Sequence, residues 1–392
     1  MNTEGGLNFQ MSEDQDAFRA SLRQLVDAKL PRDFCREIEA RSEFPWDLWE
    51  LLGASGLNGV GIPEEFGGQG GGIMEQMIVA EELARNLGGL VWIWGTTAFA
   101  GVKAIGHYGT EEQKRYYLPK IAAGEVLVSI ALTEPDGGTD VLGGMRTKAV
   151  RTEGGWTING SKIWSTMTHE AHLTLLIART DDGAGKPSRG LTAFLVDPKA
   201  DGVTSTPIPK LGMRSLGSCE VQLDNVFVPE ENVLGAEGGA WAMLSETLNS
   251  ERIMVAAQCC GATEAILEDM LRYAKERIAF GKPIGQFQAV QHMIANAKIA
   301  LETSRLLTYK AGWLQEAGKP CGVEATMAKV VASEGAVKAA DDGIQILGGN
   351  GYALEYDMQR YWRDMRLYRI APINNEMGRN FIGEQLGLNR SF

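Results

Sequence analysis

The stretch VLVSIALTEPDGGTD, residues 126–140, decides the fold, because the spacing of apolar side chains changes inside it. Upstream the spacing is helical: Phe18, Leu22, Leu25 and Val26 follow Ser12, whose hydroxyl suits a helix N-cap with Glu13 and Asp14 in the first turn. Within the stretch Val128, Ile130 and Leu132 alternate, the period of a strand, and Pro135 with Gly137-Gly138 then forces an exposed turn. Further β-rich runs fall at 172–179, 191–196 and 221–228. The run Trp156–Trp164 (WTINGSKIW) reads as a hairpin with Asn159-Gly160 as its two-residue turn. Such turn types predict an antiparallel sheet.

After about residue 238 helical spacing returns. Met293, Ala297, Ala300, Ser304, Leu307, Ala311 and Leu314 make a narrow stripe of mostly small residues, which lets helix axes approach closely as in a bundle. Another helix is predicted over 323–347, broken by Gly348-Gly349-Asn350-Gly351, and a last one over about 375–386. The chain therefore reads as an α+β multidomain protein, with helical residues 1–125, a β domain at 126–235 and helical residues 236–392.

Composition narrows the function. The 38 Lys and Arg against 50 Asp and Glu leave a net charge of −12, the wrong sign for nucleic acid or an anionic membrane face. An anionic ligand must then be met by local cations and helix N-termini. Five cysteines without CxxC spacing, together with His107, His169, His172 and His292 in no ligand pattern, argue against a metal and for a reducing compartment. The adjacent Cys259 and Cys260 read as small packing residues. No apolar run approaches the ~20 residues of a membrane span, and the opening MNTEGGLNF resembles no targeting peptide. A soluble, cytoplasmic protein is expected.

Several constellations could carry chemistry. Thr133 and Thr139 in the 132–140 turn offer hydroxyls to a polar heteroaromatic or phosphate ligand. Trp164 and Thr166 pair an indole with a hydroxyl two residues on, on one strand face. Arg277 could meet pyrophosphate and Phe280 could pack on a ring, with Gln288 downstream. Gln345 precedes the glycines Gly348 and Gly349, where backbone or ligand can come close. Finally LNSERIMVAA (248–257) sets Glu251 beside Arg252 near the start of a long helix. The glycine-rich GIPEEFGGQGGG (61–72) fits no phosphate-loop pattern and reads as a connector. Trp92 and Trp94 are candidates for a pocket wall.

In this order and spacing, LTEPDGGTD (132–140), NGSKIWST (159–166), KLGMR (210–214), ERIAFGKPIGQFQAVQ (276–291) and QILGGNGY (345–352) resemble the acyl-CoA dehydrogenase flavoenzymes over nearly the whole chain. The resemblance implies a helical N-terminal domain, a middle β-barrel-like domain and a C-terminal four-helix bundle. It implies FAD, a homotetramer and an electron-transfer flavoprotein as redox partner. Leu132, Thr133, Thr139, Trp164 and Thr166 would then border the flavin ring. Arg277, Phe280, Gln288, Gln345, Gly348 and Gly349 would hold the FAD of a neighbouring subunit; before the last helix Asn374 and Asn375 would replace the usual FAD-holding Thr-Ser, while Glu376 fits the family's acid or amide position.

The base departs from the family's commonest pattern. Many relatives carry a Glu where Pro372 stands here, and proline has no acid-base group. The isovaleryl-CoA dehydrogenase branch, like crotonobetainyl-CoA reductase-like members, carries it in the motif that LNSER matches. Glu251 is thus the expected base, with Asn249, Arg252 and Thr139 toward the acyl-CoA. The implied reaction removes an α-proton from an acyl-CoA thioester and passes the β-hydride to flavin N5. The same motifs also suit an enoyl-CoA reductase or an oxygen-using flavin oxidase or monooxygenase and, more remotely, a non-catalytic flavin- or acyl-CoA-binding protein.

Overall fold

A computed structural model describes residues 11–41, 43–181 and 187–389. The reading of the first nine residues as free of a targeting peptide falls outside them. Helix α1 (Glu13–Lys29) opens on a reciprocal cap in which Ser12 Oγ accepts from the Gln15 amide and the Gln15 side chain accepts from the Ser12 amide. Helices α2 (Arg32–Arg41) and α3 (Trp46–Ala54) lead to α4 (Ile73–Leu87), which is buried on nearly every side and is the core helix of this half. A continuous helical run follows: α5 (Trp92–Thr97), a π-helical segment (Ala98–Lys103) and α6 (Ala104–Tyr108). Helix α7 (Glu111–Ala122) is capped by Thr110.

The middle of the chain forms one eight-stranded sheet from β1 (Val128–Ala131), β2 (Lys148–Thr152), β3 (Gly155–Thr166), β4 (Leu173–Arg179), β5 (Leu191–Val196), β6 (Val203–Pro207), β7 (Ser218–Pro229) and β8 (Val233–Leu234), with the short α8 (Val141–Gly144) after β1. Its order is β6-β7-β3-β2-β4-β5-β8, and β1 pairs with β4. Two expectations fail here. The sheet is mixed, since β1 and β2 both run parallel to β4. Asn159-Gly160 is not the hairpin turn: it lies inside β3, at a register shift against β7 between Ile158 and Gly160. The Asn159 side chain is held there by the Asn225 amide at 2.8 Å, so the Asn-Gly pair serves a bulge. The two-residue turn is Glu153-Gly154, where Thr152 opposes Gly155 and Gly154 takes φ +76°.

The third part holds the 37-residue α9 (Ala240–Glu276), a β9 (Ile278–Ala279)–β10 (Lys282–Pro283) ribbon, α10 (Gln288–Glu316), α11 (Gly322–Leu347), α12 (Gly349–Tyr352), α13 (Met358–Leu367) and α14 (Asn375–Gln385). Helix α9 is sheathed by α4, α10 and α11, so its residues 253–263 are all buried. Of the small-residue stripe on α10, Ala297, Ser304 and Ala311 are buried, but Leu301, Thr308 and Gly312 complete the seam in place of Met293, Ala300 and Leu307. The seam follows the i, i+3, i+4 row that faces α9 and α11. A buried ionic cluster ties the first and last parts: Glu81 on α4 meets Arg19 of α1 at 3.0 Å and Arg305 of α10 at 2.6 Å, and Glu82 meets Arg23 at 2.8 Å. No helix among the described residues is long and apolar enough to cross a membrane.

Candidate active site

The 132–140 turn is locked to β3 from beneath. Glu134 accepts the amides of Arg146 at 2.6 Å and Thr147 at 2.9 Å, and the buried Lys162 Nζ at 2.8 Å. Burial pushes the Glu134 carboxyl up, but Lys162 and those donors outweigh it and leave it below the ordinary range. Lys162 also donates to the Leu132 carbonyl at 3.1 Å, and the Ile163 amide donates to that of Thr133 at 2.8 Å. Leu132 and Thr133 are thereby presented beside Trp164. At Trp164 the backbone takes φ +61° where the β3–β7 register shifts again, and the indole is left 55% exposed with Thr166 two residues beyond. Neither Lys162 nor Glu134 was singled out from sequence, although a lysine amid alternating apolar positions is the signal that could have found it.

Thr139, at the far end of the turn, meets the third part of the chain. Its Oγ1 accepts from Asn374 Nδ2 at 3.1 Å, while Asn374 Oδ1 caps α14 through the Met377 amide at 2.8 Å. The next residue, Asn375, turns inward and is fully buried; its Oδ1 accepts from Lys329 Nζ at 2.8 Å and its Nδ2 donates to Ser333. Glu376 stays exposed in the first turn of α14. The segment 372–375, where Pro372 stands, thus joins the sheet-side residues to the helix-side ones.

On α9, Glu251 is half-buried, yet its carboxyl is so enclosed that desolvation lifts it to about 7, against the opposing pull of Arg252 and Lys329. No side chain among the described residues hydrogen-bonds to that carboxyl. Arg252 donates to Asn249 Oδ1 at 3.0 Å and lies over the Phe381 ring at 5.9 Å, while its Nε is buried without a partner. Burial lowers its pKa although Glu251 favours the cation. Two helical turns further along the same face sits Gln258, bound by the Tyr368 hydroxyl at 2.6 Å; Gly95 of α5 comes close to its amide, and the half-buried Trp92 ring packs on Gly95. Trp94 is plain core, its indole donating to the Leu57 carbonyl.

A second group lies elsewhere. Arg277, Gly348 and Gly349 line a cavity of about 330 Å³ with Tyr273, Ile284 and Asn350. Gln345 is exposed next to it, Gln288 opens α10, and Phe280, at φ +53° in the β9–β10 turn, is 95% exposed. Arg277 ends α9 and stands twenty-six positions from Glu251, about 39 Å at the α-helical rise. One chain therefore splits the expected cofactor residues between two distant places. The glycine-rich 61–72 loop borders a different cavity, of about 170 Å³, with Lys103 and His107, but the free amide of Ile73 there is taken by Glu316 at 3.0 Å, as suits a connector.

Family models cover almost all of the chain in sequence: acyl-CoA dehydrogenase N-terminal domain over 12–125, middle domain over 129–226 and C-terminal domain over 238–387. The chain belongs to the acyl-CoA dehydrogenase family. It is 37% identical to the mitochondrial isovaleryl-CoA dehydrogenase of Solanum tuberosum, over 95% of this chain and 90% of that one. Among solved structures, a glutaryl-coenzyme A dehydrogenase in complex with glutaryl-CoA matches at 34% identity with a TM-score of 0.93, covering 98% of both chains. An FAD complex of PigA matches at 29% identity and a TM-score of 0.93, covering 97% of this chain and 100% of that one. The α+β architecture expected from sequence, helical, then sheet, then helical, is that of this family, and the chain is an oxidoreductase of the acyl-CoA dehydrogenase kind.

Proposed function

We propose that the chain catalyses α,β-dehydrogenation of an acyl-CoA thioester to the trans-2-enoyl-CoA, with Glu251 taking the α-proton. The observation that carries this reading is an enclosed, unbonded carboxylate on α9, lifted to about 7 by desolvation, where the alternative position holds Pro372. A base is most effective when its pKa lies near the working pH, and a carboxylate at its ordinary value would be too weak. Arg252, next to the base, and Asn249, to which it donates, would receive the polar arm of the thioester.

The residues present fit FAD. An isoalloxazine needs a flat partner and edge hydroxyls, and Trp164 with Thr166 on one side and Leu132 with Thr133 on the other supply them, with Thr139 and Asn374 at the rim. Bound FAD supplies the acceptor for the hydride leaving the β-carbon, and an electron-transfer flavoprotein is the proposed oxidant that resets it. Arg277, Phe280, Gln288, Gln345, Gly348 and Gly349 lie too far from Glu251 to serve the same cofactor, so they complete the site of a second copy in a homotetramer. Exposed apolar side chains around them, Ile278, Phe280, Tyr352 and Leu354, support such a covering. Trp92, half-buried on α5 where Gly95 meets Gln258, would narrow the acyl site from that side, which favours short or cyclic acyl groups.

The test is anaerobic mixing of purified holoenzyme with a panel of acyl-CoAs while the visible flavin band is followed. Bleaching by short or branched acyl-CoAs is expected. A spectrum that no acyl-CoA alters, but that an enoyl-CoA reoxidises after chemical reduction, would reverse the proposed direction.

A further inference from the structure

Gln258 of α9 is wholly buried, 0% exposed, yet only half of its amide is used. Its Oε1 accepts from the Tyr368 hydroxyl at 2.6 Å, whereas its Nε2 is buried without a partner. A donor buried without an acceptor is costly, so one held in place calls for a partner that arrives with a ligand or with water. Gln258 lies seven positions after Glu251, two turns along, so both side chains leave the same face of α9. Glutamate and glutamine side chains have the same length, so carboxyl and amide stand roughly 10 Å apart along the axis. On the facing helix, a Cβ at Gly95 would come to 3.3 Å from Nε2, and the half-buried Trp92 ring packs on that glycine. Neither residue gives Nε2 an acceptor within hydrogen-bonding reach. Directly after α5 the run beside α9 passes into π-helix over Ala98–Lys103, an irregular form that recurs at functional sites.

We infer that Gln258 determines specificity: its Nε2 donates to an uncharged oxygen on the distal part of the acyl group, so the substrate is a short or cyclic acyl-CoA bearing a carbonyl or ether oxygen. This rests on the acyl-CoA reaction proposed above, with Glu251 as its base. Geometry says where the oxygen lies. Of the roughly 10 Å between the two side-chain heads, about 3 Å goes to the contact at each end, which leaves about 4–5 Å, or three to four bonds beyond the α-carbon. The oxygen is uncharged because the residues at the amide, Tyr368 and Gly95, carry no charge to offset a buried carboxylate. The competing reading makes Gln258 a packing residue whose task is to accept from Tyr368, with water on Nε2. The two readings part on the substrate. A packing residue treats acyl groups of equal shape alike, whereas a donor aimed at the acyl group tells an oxygen from a methyl group.

The test compares 5-oxohexanoyl-CoA with 5-methylhexanoyl-CoA, in which a methyl group replaces the ketone oxygen, together with the pairs one carbon shorter and longer. Affinity for FAD-loaded protein is measured by calorimetry, and kcat and KM by flavin-coupled turnover. In the unaltered protein the ketone of at least one pair is expected to bind about tenfold more tightly than its methyl counterpart. Gln258→Met keeps the side-chain length and removes the donor. There the preference should fall to about one, through a raised KM for the ketone, while the methyl compound binds as before. Equal affinities within every pair in the unaltered protein overturn the inference, and that result needs no variant to fold. A preference that persists in folded Gln258→Met overturns it as well, as does a loss there that is the same for both members of a pair. Failure of the dehydrogenase reading looks different: the ketone preference stands in calorimetry while neither compound bleaches the flavin.

Discussion

At the scale of single residues, Glu251, the proposed base, bears on both chemistry and stability. A positioned general base contributes about 10²–10⁴-fold, so Glu251→Gln is expected to lose that much in kcat while keeping its flavin, checked by stopped-flow reduction and by bound-FAD absorbance. The folded state holds this carboxyl at about 7, above the value it has in an unfolded chain. The folded protein then binds a proton that the unfolded one has released, so stability is full below the unfolded pKa and is lost as pH rises through about 7. Glu251→Gln removes that loss. It should melt at a higher temperature than the unaltered protein at pH 8 and show little difference at pH 4, which calorimetry across pH would test. Glu251 was named as the candidate base from the LNSER motif; how tightly its carboxyl is enclosed was not, because that depends on packing by elements distant in the chain. Gln258 was invisible for the same reason: a glutamine in a helix reads as a solvated amide until its neighbours are known.

At the scale of elements, α9 does the organising. It starts at Ala240, so the LNSER motif expected near a helix start lies three turns inside it; Gln258 follows two turns beyond Glu251 on the same face, and Arg277 caps the end. Its approach to α4 depends on Gly261, where a Cβ would stand 1.9 Å from the Glu81 carbonyl oxygen. Backbone cannot yield as a flexible side chain can. Gly261→Ala is therefore expected to cost at least about 1–3 kcal/mol, the usual range for overpacking, and to show as an earlier midpoint in denaturant unfolding. The helices were legible because their period and caps are local. Strand β3 was misread for a reason of equal generality: Asn-Gly favours left-handed and irregular backbone, and a bulge uses that freedom as readily as a turn. The long partner β7 decides which, and its pairing is not local.

At the scale of the whole molecule, the separation of the two proposed cofactor half-sites would make assembly part of the proposed function. Phe280, almost wholly exposed on one chain, is expected to pack against a neighbour's cofactor region. Phe280→Glu should weaken association and FAD retention together while the single-chain fold persists. Sedimentation velocity, flavin content and circular dichroism would show this. A variant that stays a flavin-loaded tetramer would remove Phe280 from the shared site. The buried cluster of Glu81 with Arg19 and Arg305 joins the first and third parts of the chain. Glu81→Ala would remove the carboxylate shared by Arg19 and Arg305, leaving Arg19 with Glu82 and Arg305 with Glu264, a loss of about 1–3 kcal/mol that thermal unfolding would register.

By itself the sequence determined the order of helical, β and helical segments, the family and the candidate residues, since these rest on local period, turn chemistry and short motifs. Only the tertiary structure decided that β1 and β2 run parallel to β4, that the candidates fall into two separated groups, and that the Glu251 carboxyl is enclosed. Those facts depend on distances between residues far apart in the chain, and burial, which sets the charge state of Glu251, is a property of such distances alone.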